Sequence, residues 1–339
     1  MIILHDTFNK MPSKSRDFFD TLQYSTEKIL TNRKRRKRIK KEKAKNKNII
    51  VDWLEAFLWA ACMVLLINQY LFQAYQIPSG SMIDTLLIGD RIFVNKLVYG
   101  PELLPGFLKL PSPIRPQRND IIIFENPTYI SRGTAFDIAQ RVIFMLTLSI
   151  VDIDRDEFGQ PKPHFLIKRA AAMGGDQIVL VDGNMRIRFA GEDRWIDESE
   201  YNRLAGHGHR IGRLIDARFY PAMGSYGKAI AYRNMGLPVP DELAGAEAAL
   251  SGLAHYDYYS IDKSRLELLR AAFPHDSRYQ NRLARYALGI YIPENRVLPL
   301  GDNRDNSHDG REFGPVRSDR ILGRGAMIHW PLNRAGLIH

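Results

Sequence analysis

Two side chains in this 339-residue sequence, Ser81 and Lys168, stand where their surroundings could turn them into reagents. Ser81 belongs to Gln76-Ile77-Pro78-Ser79-Gly80-Ser81-Met82. Such a Gly-containing loop can present an exposed hydroxyl, with neighbouring backbone N–H groups placed to stabilise an oxyanion. Taken alone, it is as readily a plain turn. A serine nucleophile also needs a base, yet the nine histidines are scattered and no Gly-x-Ser-x-Gly motif occurs. A lysine held in a dry setting is the other known solution. Lys168 follows Phe165-Leu166-Ile167 and precedes Ala170-Ala171-Ala172-Met173, an apolar context on one strand face. At an ordinary pKa near ~10.4, a lysine is neutral only about once in ~2,500 at pH 7. Desolvation can lower that value by several units and make the amine a base. Without a partner, Lys168 reads equally as a snorkelling side chain on a strand edge.

A third dense segment, Gly301-Asp302-Asn303-Arg304-Asp305-Asn306-Ser307-His308-Asp309-Gly310-Arg311, follows the strand-like Val297–Leu300. It is either solvated surface or a buried hydrogen-bond network that fixes a site. It lacks the spacing and terminal Glu of an EF-hand. His207-Gly208-His209 has no third ligand at sensible spacing, so no metal and no cofactor are expected. The single cysteine, Cys62, excludes an intramolecular disulfide or a thiol redox pair.

The elements that must carry these groups follow from composition and pattern. Net charge is +10, but Arg33–Lys47 holds eleven Lys/Arg and one Glu and so accounts for all of it. The remainder is neutral, and no nucleic-acid partner is implied. Trp53–Phe72 follows, with Glu55, Asn68 and Gln69 as its strongly polar residues and Ala56–Ile67 unbroken. Twenty helical residues span about 30 Å, a bilayer's hydrocarbon thickness. A membrane anchor is expected over a cleaved leader or a buried core helix. The basic tract before it places residues 1–48 in the cytoplasm and the remainder beyond about Gln76 across the membrane.

Past the anchor the pattern changes to short strands: Arg91–Val98, Ile121–Phe124, and Gln177–Val181 with Met185–Phe189 around an Asp182-Gly183-Asn184 turn. Residues 200–288 carry helical spacing over Asp241–Leu253, Asp262–Phe273 and Ser277–Leu288. They read as a partly helical insertion. A second extra segment, about Tyr129–Lys162, contains the apolar Val142–Val151, too short to span a bilayer. It is expected to be a core element, with docking on a lipid surface as the alternative.

In this order the segments resemble bacterial type I signal peptidases, from about Trp53 to Pro331. The resemblance rests on Ile77 through Met82, Thr85 through Asp90, Asp120 through Phe124, Ile167-Lys168-Arg169-Ala170, Gly301 through Arg311, and Trp330-Pro331. Asp84 and Asn119 depart from the usual family residues at turns, and Met173-Gly174-Gly175-Asp176 lacks the usual Pro ahead of Gly-Asp. The resemblance implies a mainly β fold: an antiparallel two-sheet, LexA-like catalytic domain with a partly helical insertion, after one transmembrane helix. The implied division is a basic cytoplasmic tail (1–48), an anchor (49–75) and a catalytic β domain (76–339). It further implies Ser81 as nucleophile, Lys168 as general base, and the Ser81 N–H with the Ser79 hydroxyl as oxyanion hole. Ser307 would orient the Lys168 amine. Asp302, Arg304, Asp309 and Arg311 would form a supporting ion-pair network. Ile77, Pro78, Met82, Leu86 and Ile167 would line shallow pockets for small side chains before the cut. The implied substrates are signal-peptide-bearing preproteins, with lipid and the protein-export machinery as further partners, at the outer face of the plasma membrane. The other readings weighed are an inactive membrane scaffold, a LexA-like self-cleaving regulator, and a conjugation or organellar processing peptidase. No helix-turn-helix pattern precedes the protease region to support the regulator.

Overall fold

The computed structural model describes residues 24–39, 49–103, 109–147, 150–160 and 162–338. The last eight residues of the basic tract, 40–47, therefore lie outside the described residues, as do 1–23 and two positions within Val142–Val151. Two compact units are present, 1–62 and 63–339. In the first, residues 24–39 are helical and exposed. Helix α1, Ile49–Tyr70, crosses the unit boundary and is exposed throughout its first twelve residues. Among the described residues it is the one helix long and apolar enough to cross a membrane.

The three polar side chains ending α1 are not idle. Asn68 Nδ2 donates to Met145 O at 3.2 Å, Gln69 Nε2 to Glu102 O at 2.9 Å, and the Tyr70 hydroxyl to Leu103 O at 2.9 Å. These bonds lie within the second unit, to which the end of the helix belongs.

That unit holds two antiparallel sheets. The larger contains β1 (Phe72–Gln76), β2 (Arg91–Asn95), β3 (Ile121–Glu125), β4 (Phe165–Met173), β9 (Arg296–Leu300), β10 (Val316–Arg317) and β11 (Ile321–Trp330). Its order is β1-β2-β11-β3-β4-β9-β10, with β12 (Gly336–Leu337) on β11. The smaller has the order β7-β6-β5-β8, from β5 (Gln177–Val181), β6 (Asn184–Arg188), β7 (Trp195–Asp197) and β8 (Ile290–Tyr291). Strand β3 shows why a continuous apolar run suits this architecture. Ile121 and Ile123 join one hydrophobic cluster, with Ile92, Val94 and Met82; Ile122 and Phe124 join another, with Val297 and Ile321. Both faces of the strand are covered, so neither can be polar. The β5–β6 hairpin turns through Asp182 (φ 47°) and Gly183 (φ 68°), the left-handed pair that a tight two-residue turn requires.

The insertion is helical as expected, with different bounds. It contains α3 (Glu198–Leu204), α4 (Tyr220–Asn234), α5 (Asp241–Ala244), α6 (Ala246–Ala249), α7 (Tyr258–Ala272) and α8 (Ser277–Ala287). Asp257 and Asp276 cap α7 and α8, each accepting a backbone N–H two residues on. The helix expected over Asp241–Leu253 instead breaks at Gly245 into two short turns. Helix α4, which the sequence did not announce, packs against α7, and a Cβ on Gly227 would strike the Ile261 carbonyl.

In the other added segment, α2 (Thr134–Leu146) buries Gln140 and Met145 and packs Phe144 on the core, while Ile138 and Leu146 remain exposed. Val142–Val151 is thus part core and part surface, with Ile150 and Val151 also exposed. The strand expected over Arg91–Val98 stops at Asn95, and Leu97–Tyr99 forms a 3-10 turn whose Tyr99 hydroxyl donates to Asp120.

Candidate active site

Strand β1 follows helix α1 and ends at Gln76; the chain then bends through Pro78 into a 3-10 turn, Gly80–Met82, that holds Ser81. Lys168 sits mid-strand on β4, paired through Ile122 with β3. The fold brings the two together across 87 residues of sequence: Lys168 Nζ lies 2.6 Å from Ser81 Oγ. Both are buried, Ser81 at 6 % and Lys168 at 4 % exposure. Burial pushes the Lys168 amine down to about 8, against the opposing pull of Asp309 and Asp302. Lys96 is pushed down as far by burial, but it faces Glu102 and Arg141. What singles out Lys168 is its contact with a hydroxyl. The Ser79 hydroxyl is 3.4 Å from Ser81 Oγ, and among the described residues the Ser81 N–H donates to no protein acceptor.

The loop from Gly301 to Arg311 clamps the Ser81 turn. Asn303 N donates to Ser81 O at 3.0 Å, and Asn303 Nδ2 donates to Gly80 O at 3.1 Å. Gly301 is obligatory here: a Cβ would meet the Ser307 side chain and, at 2.6 Å, the Ser81 carbonyl. Asp302 takes a two-pronged ion pair from Arg169, at 2.8 and 2.7 Å, and the Thr85 hydroxyl at 2.5 Å. Asp309 accepts from Arg311 Nε at 2.9 Å and from Gly301 N at 3.0 Å. Burial alone would raise both carboxyls, but the guanidinium partners prevail and hold them below the usual carboxylate range. Arg304 reaches the Gly301 carbonyl and pairs with Glu198 on α3 at 2.6 Å.

Three expectations need correction or addition. Ser307 lies beside Gly301, but its hydroxyl makes no hydrogen bond, so here the Lys168 amine is held by Ser81 and not by Ser307. Leu86 is fully buried with Ile77 and Met82, behind the surface it was expected to line. Arg169, Glu198 and Asn303 were assigned no role, although an arginine inside the apolar run of β4 was a visible anomaly. His209 lies 3.2 Å from Asn202 Nδ2, and burial lowers its ring to about 4.

A cleft of about 1080 Å³ opens over the pair. Ile77, Pro78, Met82 and Ile167 line it, as does Ser307. On this side β4 is paired with β3 over Phe165–Arg169 and with β9 only from Arg169 onward. The backbone of Phe165–Lys168 therefore offers one free strand edge beside the pair.

The family described as "Signal peptidase, peptidase S26" matches residues 50–330. The chain belongs to the signal peptidase family. A Signal peptidase I of Buchnera aphidicola (subsp. Acyrthosiphon pisum) is 35 % identical over 320 residues, covering 88 % of this chain and 85 % of that protein. The Signal peptidase I proteins of Aquifex aeolicus and Haemophilus influenzae are each 26 % identical, covering 79 % and 84 % of this chain and 79 % and 70 % of their own lengths. As a signal peptidase family member the chain is a hydrolase. One departure from the family's usual residues gains a physical reason: Asn119 has φ 69°, and asparagine tolerates that left-handed conformation where a glycine is common.

Proposed function

We propose that this protein is a membrane-anchored serine endopeptidase that removes signal peptides from exported preproteins, with Ser81 as nucleophile and Lys168 as general base. The observation that carries the reading is the 2.6 Å contact between two buried groups, one an amine already lowered toward neutrality. The preprotein lies extended along the free edge of β4, its main chain adding to the sheet and its small side chains before the cut facing Ile77, Pro78, Met82 and Ile167. Neutral Lys168 takes the Ser81 proton as Oγ attacks the scissile carbonyl. The Ser81 N–H and the Ser79 hydroxyl stabilise the oxyanion, the protonated amine returns its proton to the leaving amine, and water then releases the acyl group. Helix α1 supplies the anchor and the basic tract sets its orientation, with the catalytic body on the outer face of the plasma membrane beside lipid and the export machinery.

Mass spectrometry of a preprotein incubated with the enzyme tests the assignment. Ser81→Ala and Lys168→Arg should each abolish the cut, since arginine keeps the charge but cannot give up its proton. A Lys168→Arg enzyme retaining most activity would refute the role of the lysine.

A further inference from the structure

The cleft does not end at the catalytic pair. Its far wall comes from the insertion: His255, Tyr256, Tyr258, Tyr259, Arg285 and Tyr286. Another part of the cleft is lined by Gln140 and Phe144 of α2 and by Ile150 beyond it, and Asn68 of α1 bonds the Met145 carbonyl. Contacts lead from one end to the other through the active site. The Phe144 ring meets that of Tyr75 on β1 at 6.0 Å in a tilted contact, and β1 leads to Ser81. Ser81 is bonded to Asn303 in the catalytic loop, and Arg311 of that loop accepts from Arg285 Nη2 at 2.5 Å. The insertion wall thus lines the same cleft as the pair.

Its chemistry suits a polypeptide of varied sequence. Tyr259 and Tyr286 meet edge-on at 4.5 Å, and Tyr286 is fixed by its hydroxyl to Asp262 at 2.7 Å. The Tyr259 hydroxyl is buried and has no protein partner among the described residues. Tyr258, 72 % exposed, stands at the start of α7 under the Asp257 cap. Tyrosines offer broad, rigid and amphipathic contact at low entropic cost, without demanding one partner sequence.

We propose that this tyrosine wall binds the mature part of the preprotein, the segment that follows the scissile bond. The proposal rests on the peptidase reading: a signal sequence entering from the membrane occupies the α2 end and its continuation meets the insertion. The insertion then recognises the exported protein itself and adds affinity that the pockets before the cut do not provide.

The test uses the full-length enzyme and peptides identical up to the cut, extended after it by about two, about six or about twelve residues; six extended residues reach about 20 Å. For the wild type, kcat/KM should rise about three- to ten-fold with length, mainly through KM. Tyr258→Ala should flatten that rise and Tyr258→Phe should restore it. A second series extended only on the signal side should show the same length dependence in both enzymes. A wild type insensitive to mature length, or a Tyr258→Ala enzyme that keeps the rise, overturns the proposal, as does a loss confined to the signal-side series. Cutting of the shortest peptide by the wild type, and its loss in Ser81→Ala, tests the peptidase reading separately.

Discussion

At Lys168 the fold withholds water from an amine that would otherwise be a cation. With its pKa at about 8, roughly one amine in ten is neutral at pH 7, about 200-fold more than for an exposed lysine. The sign of the pH dependence follows. Activity should fall about ten-fold per unit below pH 8 and level off above it, because the neutral form is the reactive one. A kcat/KM profile of peptide cleavage that is flat from pH 6 to 9, about the working range, would exclude Lys168 as the titrating base. Local context alone leaves Ser81 open as a plain turn and Lys168 open as a snorkelling side chain; it is the order of the segments, through the family they resemble, that couples the two. The supports of the pair are not legible. Arg169 meets Asp302 across 133 positions and Arg304 meets Glu198 across 106, and nothing local in the sequence says which charge finds which. The pocket role expected of Leu86 failed for a related reason: apolar character does not say which face of a packed loop a side chain takes.

Among the elements, punctuated ones could be read and evenly composed ones could not. The ends of α7 and α8 could be read from Pro274 and Gly289, while α7 begins four residues before the expected Asp262, behind an Asp257 cap that the sequence reading did not use. Helix α4 buries Tyr220, Met223, Gly227, Ala229 and Ala231, a spread of small and large residues that leaves no clean apolar stripe. The catalytic loop is the element on which most depends, because it is held to β4 by one buried ion pair. Asp302→Ala strands the Arg169 guanidinium, only 1 % exposed, and should cost about 3–5 kcal/mol in urea unfolding. Removing Glu247 from its exposed pair with Arg233 should leave the unfolding curve where it was. Asp302 and Asp309 are held below their usual range, so their contribution is present above about pH 4 and is lost as pH falls through their folded values. Equal destabilisation by the two substitutions would mean that the buried pair is not what secures the loop.

For the whole molecule, the proposed topology separates the first described helical segment from the catalytic body by a bilayer. Single cysteines in a Cys62→Ser background report this directly. A membrane-impermeant maleimide added to spheroplasts should label a cysteine at Arg194, whose side chain is 79 % exposed, and should spare one at Tyr24, 66 % exposed, until the cells are lysed. The reverse pattern would invert the proposed orientation.

The fastening at the end of α1 carries a consequence of its own. Asn68, Gln69 and Tyr70 are spent on backbone carbonyls of the second unit, to which they themselves belong, so the entry into β1 is fixed within that unit. Ten residues lie between Tyr70 and Ser81, and five of them are locked in β1. Within the second unit that short stretch of chain serves as a ruler of fixed length, laid from the last turn of α1 to the serine hydroxyl.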